Sequence, residues 1–348
     1  MRLLSWNCMG LGNPCTAREL LLLVKEQVPS ILFLSETRLD CIGVEILRVK
    51  LKMGSVFCVP RVRIGGDLAM IWTTSVEVQI NSFSRNHIDA EFMDKAVGRG
   101  FRITRFYGNP EMHCRKESWA LLKHVSHLSS TSSWLCMGDF NEVLEDSERM
   151  GRGCRPGWQM QDFRDAVTFC ELHDIRYVGS SFTWRKKRGG GGVVVDSSPG
   201  GTGTCAAARL DRMFASVSWM QEYCGAWVSH LPLLNSDHCP LLITLPGSVQ
   251  VPKPKRVFWF EAMWLQDMQC HDVISQAWNS VVAGGSPMFQ VMEKLKGCRA
   301  LLIAWSKTRF GSLASSIKDK RVQLQDLLLE HPLGSPRIKE LQDDLNGL

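Results

Sequence analysis

The sequence predicts an α/β domain followed by a helical appendage, and three observations point there. Apolar, strand-like runs end one after another in polar residues, as Ser133-Trp134-Leu135-Cys136-Met137 does before Gly138-Asp139-Phe140-Asn141-Glu142. Segments of helical spacing lie between those runs. From about residue 263 onward helical spacing alone remains.

At 348 residues the chain exceeds one typical domain, so one large core plus an appendage is the economical arrangement. A hydrophobic content of 45% and 14 dispersed prolines fit a globular protein. No uncharged apolar run reaches the ~18 residues of a transmembrane helix. Met1-Arg2-Leu3-Leu4-Ser5-Trp6-Asn7 meets Trp and Asn too early for a signal peptide, so an intracellular protein that avoids membranes is expected. The 13 cysteines are odd in number and contain no C-x-x-C pair, which argues against a disulfide framework or zinc module and for reduced thiols. The net charge of +6 divides as +3 on each side of position 250, too little to steer a polyanion from a distance. Local clusters such as Arg185-Lys186-Lys187-Arg188 would have to hold a nucleic acid, although a short basic run is as often a solvated loop.

Taken in order, Arg2 to Trp6 alternate as a strand that delivers Asn7 at its end. Thr16 is expected to cap a helix whose Leu20, Leu23 and Val24 repeat until Pro29. Ile31-Leu32-Phe33-Leu34 is a buried strand that places Glu36 just beyond it. From Ser55 to Val97 the chain reads as short strands, 56–59, 68–72 and 76–80, with a turn at Gly65-Gly66. The strand 101–106 ends in Tyr107-Gly108, and a helix over about 116–128 leads back to the strand before Asp139. Met160, Phe163, Val167 and Cys170 mark the next helix. Four glycines at 189–192 and the Gly/Ser/Thr run 197–203 predict a flexible loop. Beyond it lie Arg209-Leu210-Asp211-Arg212, a short helix near Trp219, a strand at 226–231, and Ser236-Asp237-His238 before the strand 241–245. Residues 1–246 are expected to form the domain, 247–262 a linker, and 263–348 a helical segment whose apolar stripes need the first domain or another chain as partner.

Asn7, Glu36, Tyr107, Asp139, Asn141, Asp211, Asp237 and His238 therefore stand at expected strand ends. Asp139 and Asn141, two apart on an extended chain, would face the same side. Four carboxylates with one histidine suit a hard divalent cation such as Mg²⁺, with oxygen ligands, and metal-assisted phosphoester hydrolysis. A lone G-D-x-N is more often an Asx turn, and Ser236-Asp237-His238 also spell a Ser-His-Asp triad, although sequence neighbours do not by themselves give triad geometry.

Ser5-Trp6-Asn7-Cys8, Ser35-Glu36-Thr37, Tyr107-Gly108, Gly138-Asp139-Phe140-Asn141, Ser181-Phe182-Thr183-Trp184, Arg209-Leu210-Asp211-Arg212 and Ser236-Asp237-His238 together resemble the endonuclease/exonuclease/phosphatase superfamily over residues 1–246. More narrowly they resemble the apurinic-type endonuclease domain of plant non-LTR (LINE-type) retrotransposons. The segment 258–264 and Ala304-Trp305-Ser306 resemble the connector that joins this domain to the reverse transcriptase. The resemblance implies a two-sheet, four-layered, deoxyribonuclease-I-like α/β sandwich with its site at one rim. It implies Glu36 as principal Mg²⁺ ligand (Mn²⁺ as the alternative ion), with Asn7 and Asp237 beside it. His238 would contact the scissile phosphate, Asp211 would orient it, and Asp139 would orient or deprotonate water, the choice of base between His238 and Asp139 staying open. Tyr107 and Asn141 would donate to phosphoryl oxygens, with Thr183, Ser236, Trp184 and Arg185 as further phosphate or DNA contacts. DNA is the implied substrate, the nucleus the implied location, and a 3′-hydroxyl and 5′-phosphate the implied products. Met9 replaces the family's usual arginine, and the glycine-rich run stands where related enzymes carry a DNA-reading hairpin, so relaxed target choice is expected. Two alternatives stay open, a catalytically weak relic that binds nucleic acid or protein and a phosphatase of another phosphoester.

Overall fold

The computed structural model describes residues 1–60, 67–95, 98–128, 133–151, 155–186, 205–233, 235–246, 260, 262–280, 287–330 and 336–347. The expected turn at 65–66, the glycine-rich run 189–203, Lys187 and Arg188, and nearly all of the linker with its 258–259 segment lie outside them. Two mixed sheets dominate. The larger runs Tyr177–Val178, Trp227–His230, Leu241–Thr244, Arg2–Asn7, Ile31–Ser35, Leu68–Trp72, Ser55–Val59. The second runs His173–Asp174, Asp211–Ala215, Trp134–Asp139, Arg99–Tyr107, His87–Asp94, Val76–Ser84.

Strand alternation builds the layers. Leu3, Ile31, Phe33 and Met70 of the first sheet share one core with Ile88, Ile103, Leu135, Met137 and Met213 of the second. The opposite faces are apolar too. Leu4, Trp6, Leu32 and Leu34 pack under the helices Pro14–Gln27 and Cys41–Leu51 through Leu20, Leu23, Val44 and Leu47. Phe106, Cys136 and Phe214 pack under Arg115–Ser126 and Gly157–Phe169 through Trp119, Leu122, Phe163 and Ala166. Burial on both faces explains why these strands read as continuous apolar runs. The result is the helix–sheet–sheet–helix sandwich the resemblance implied.

Each sheet contains a parallel pair joined by a helix, and the larger also pairs the short Tyr177–Val178 parallel to Trp227–His230. Arg2–Asn7 runs parallel to Ile31–Ser35 with Asn7 opposite Ser35, and Arg99–Tyr107 runs parallel to Trp134–Asp139 with Tyr107 opposite Asp139. A parallel pair needs such a crossover, and it brings both carboxyl ends out at one rim. The local readings shift in places. Asn13, not Thr16, caps the first helix, accepting from the Cys15 N–H with Pro14 just inside, while Thr16 is buried. The helix Cys41–Leu51 falls in a stretch for which no element was expected, and His87–Asp94 adds a strand that was not individually placed within the 55–97 stretch read as strands.

Two compact units divide the chain, Met1–Val249 with Leu324–Asn346, and Gln250–Gln323 with the last two residues. In the second, Trp264, Cys270 and Leu302 form a small core with Ile274 and Trp305. In the first, Leu324, Leu328, Ile338 and Leu341 cluster, and Gln342 Nε2 donates to Leu233 O at 3.1 Å. Among the described residues no helix is long and apolar enough to cross a membrane.

Gly138 shows how tightly the rim is built. A Cβ there would lie 1.8 Å from Phe106 O and 2.0 Å from the Arg105 guanidinium. Gly138→Ala is expected to cost about 4 kcal/mol or more, or to prevent folding, because backbone must move. Thermal melting checks this, and a variant melting within about 2 °C of wild type would contradict the packing.

Candidate active site

The four parallel strand ends meet as one hydrogen-bonded chain. The Tyr107 hydroxyl donates to Glu36 Oε1 at 2.7 Å, and Asn7 Nδ2 donates both to Glu36 Oε1 at 2.8 Å and to Asp139 Oδ2 at 3.0 Å. Asp139 Oδ1 accepts from the Asn141 N–H at 2.9 Å, and Asn141 Nδ2 donates to Gly108 O at 2.9 Å. Glu36 and Asn141 hold φ of 52° and 55°, a left-handed conformation that costs free energy outside glycine and collects at functional sites. So Asp139 and Asn141 do come together, but through an Asx turn and not along an extended chain.

Asp211 opens the strand paired with Asp139, residue against residue, which sets a second carboxylate beside the first. His238 lies between them, Nδ1 at 2.8 Å from Asp211 Oδ2 and Nε2 at 3.8 Å from Asp139 Oδ2. All three are buried. Burial opposes the charged ring, yet Asp211 and Asp139 outweigh it and lift the His238 pKa to about 10. Burial raises the Asp139 pKa, with His238 pulling it down and Asp211 pushing it up. The Tyr107 hydroxyl is raised by burial and by Glu36 and Asp139, so it remains a donor.

Several expected contacts serve as supports. Ser236 Oγ donates to Asn7 O at 2.7 Å and accepts from the His238 N–H, tying the histidine turn to the first strand. Trp6 Nε1 donates to His238 O at 3.0 Å. Thr183 Oγ1 accepts from the N–H groups of Leu210 and Asp211 at 3.0 and 2.9 Å. Both hydroxyls are buried and bonded to backbone, which holds Asp211 and His238 in place. Trp184 Nε1 donates to Asp237 Oδ2 at 3.0 Å. Arg185 Nη2 donates to Ser180 Oγ and Leu328 O at 3.1 and 3.3 Å, so that edge of its guanidinium faces protein.

Glu36 and Asp237 carry the oxygen donors that a hard cation prefers, and Asp237 Oδ1 is buried with no hydrogen-bond partner, a costly state for a carboxylate unless something charged sits beside it. Asn7 turns its nitrogen to Glu36 and Asp139, bridging the two acids, while its Oδ1 accepts from the Met9 N–H at 3.3 Å. The ligand-type atoms of Asp139, Asp211 and His238 also lie within 4.8 Å of one another, a second group that could hold an ion.

Two groups escaped the sequence reading. Arg105, fully buried, donates through Nη2 to Ser35 Oγ at 2.6 Å and through Nη1 to Phe106 O at 2.7 Å, beneath the two parallel pairs. Burial lowers its pKa, and Asp139 and Asp211 oppose that. Glu142, also fully buried, pairs with Arg115 at 2.8 Å and Arg155 at 2.9 Å. Arg105 shares its strand with Arg102 and Thr104 and Glu142 directly follows Asn141, so neither charge stood out locally.

The sequence profile described as the Endonuclease/Exonuclease/phosphatase family matches residues 4–238. An AP endonuclease from Archaeoglobus fulgidus is similar in structure, 16% identical, covering 71% of this chain and 99% of its own, with a TM-score of 0.51. The endonuclease domain of TRAS1, a telomere-specific non-LTR retrotransposon, is 15% identical over 71% of this chain and 99% of its own, TM-score 0.48. A 3′-5′ exonuclease (NExo) from Neisseria meningitidis is 18% identical over 70% and 99%, TM-score 0.49. No curated protein matches the chain in sequence.

Proposed function

The chain belongs to the Endonuclease/Exonuclease/phosphatase family, and on that premise we propose that it is a divalent-metal-dependent DNA endonuclease of LINE-type retrotransposon origin, acting in the nucleus. The observation that carries this is the continuous chain Tyr107–Glu36–Asn7–Asp139, closed by the His238–Asp211 pair at a single rim. Hydrolysis of a phosphodiester needs an oriented water, donors for the growing negative charge and a counter-charge, and this rim supplies each.

Asp139, fixed by the Asn7 amide and the Asn141 N–H, would hold the attacking water and take its proton. His238 is already protonated at neutral pH, so it suits a cationic donor to a phosphoryl oxygen better than a base. Its Nε2 is the nitrogen left for that purpose, since Nδ1 is given to Asp211. Tyr107 and Asn141 would add neutral donors. Glu36 and Asp237 would hold Mg²⁺ or Mn²⁺, which when bound neutralises phosphoryl charge and polarises the P–O bond. As the water oxygen bonds to phosphorus the P–O3′ bond breaks, leaving a 3′-hydroxyl and a 5′-phosphate. Residues 1–246 would form the catalytic domain and 263–348 the connector toward a polymerase or another protein.

Purified protein is expected to nick supercoiled plasmid with Mg²⁺ and to lose that activity in EDTA. Equal nicking in EDTA would refute the metal-dependent scheme. A well-folded wild type that nicks nothing would favour the binding relic, or a phosphatase if it cleaves a small phosphoester.

A further inference from the structure

A cavity of about 300 Å³ opens beside the catalytic groups, and Asn141 and His238 form part of its lining. Arg115, Arg149 and Arg155 line the remainder with Trp184, Ala208 and Leu210. No acid lines it among the described residues. Three guanidinium groups thus converge on one small space.

Their arrangement is held from behind. Glu142, with none of its surface exposed, takes Arg115 Nη1 on one carboxylate oxygen at 2.8 Å and Arg155 Nη1 on the other at 2.9 Å. Arg115 Nε and Nη2 also donate to the carbonyls of Asn109 and Pro110 at 3.4 and 3.2 Å, and Arg155 Nη2 to Asn141 O at 3.4 Å. Arg149 pairs with Asp146 at 3.1 Å, but that carboxylate is 73% exposed and its charge is largely screened by solvent. One buried carboxylate thus orients two guanidinium groups while a third stands beside them. A guanidinium has five donors in a rigid fork, the geometry that matches phosphate oxygens.

We propose that this arginine wall is a second phosphate subsite, which takes the phosphodiester next to the one being cut. The proposal rests on the DNA reading above. The shared lining residues require the two phosphates to lie close together, as neighbours on one strand do, and the volume admits little more than a sugar-phosphate unit. Guanidinium–phosphate bonds are charge-assisted, roughly twice as strong as neutral ones, and can be bidentate. The competing account is that the arginines serve only to neutralise Glu142 and pin the Asn141 turn. That account predicts indifference to the charge of flanking linkages.

The test uses a duplex oligonucleotide with a mapped cut. Each flanking phosphodiester is replaced in turn by an uncharged methylphosphonate, and kcat/KM is measured for wild type, Arg155→Gln and Arg149→Gln. One replacement is expected to cost wild type about tenfold, the effect of losing a charge-assisted bond, and at least one variant less than about twofold, its bond being already gone. Equal penalties in wild type and both variants would overturn the subsite. Arg149→Gln keeps the comparison open if Arg155→Gln melts early. If wild type cuts no DNA, the endonuclease reading fails by itself, and calorimetry with inorganic pyrophosphate still tests the cavity. Binding by wild type that weakens about tenfold in Arg155→Gln or Arg149→Gln would support an anion subsite, and no binding by wild type would sink it.

Discussion

Asp139→Asn is expected to fold normally and to cleave DNA about 10³-fold more slowly than wild type. The substitution keeps the side chain's shape, and its oxygen can still accept from the Asn141 N–H, now at 2.9 Å. In the proposed scheme it removes the group that accepts a proton from water, and general-base contributions run to about 10²–10⁴. Folding should survive because a buried acid whose pKa is raised by burial is not a source of net stability, and its neighbour Asp211 repels it. The loss should appear in single-turnover rate and not in DNA affinity. A rate within tenfold of wild type, with melting unchanged, would transfer the base role away from Asp139.

Much of this site was legible because each strand announces its own end. Asn7, Glu36, Tyr107 and Asp139 follow apolar runs directly, and a polar residue at such a position needs no distant information to be noticed. The register that sets Asn7 beside Ser35 and Tyr107 beside Asp139 joins residues 28 and 32 apart, and no local pattern encodes that. The facing of the two sheets entered through the resemblance and not through periodicity. The helix Cys41–Leu51 was obscured by its own surface, where Ile42, Ile46 and Val49 are 72%, 51% and 59% exposed and blur the amphipathic stripe. Arg105 and Glu142 were passed over for a different reason. Each sits beside other polar residues, where its charge does not stand out until its partner is known, and Ser35 lies 70 residues from Arg105. Thr183 and Ser236 were noticed for the right motif, but whether a hydroxyl faces a phosphate or a backbone N–H is decided by tertiary contacts.

Asp211→Asn should separate the charge on His238 from its position. In wild type the histidine pKa rises from 6.5 to about 10, against the effect of burial, chiefly through Asp211 and then Asp139. A raised pKa in the folded state means that the ion pair stabilises fully below about pH 6.5 and loses its contribution as pH climbs through 10. The melting temperature of wild type should therefore decline across that window, and that of Asp211→Asn should decline less. For catalysis, an asparagine can still accept from Nδ1–H at the same place, so the ring stays oriented while its main cause of protonation is gone. At pH 8 the variant should be about 10²-fold slower than wild type, the effect of losing one preorganised donor at the transition state. At pH 6 the ring recovers part of its charge, and the gap should narrow. A ratio that stays constant from pH 6 to pH 8 would mean that Asp211 supplies only orientation, and that His238 does not act through its positive charge.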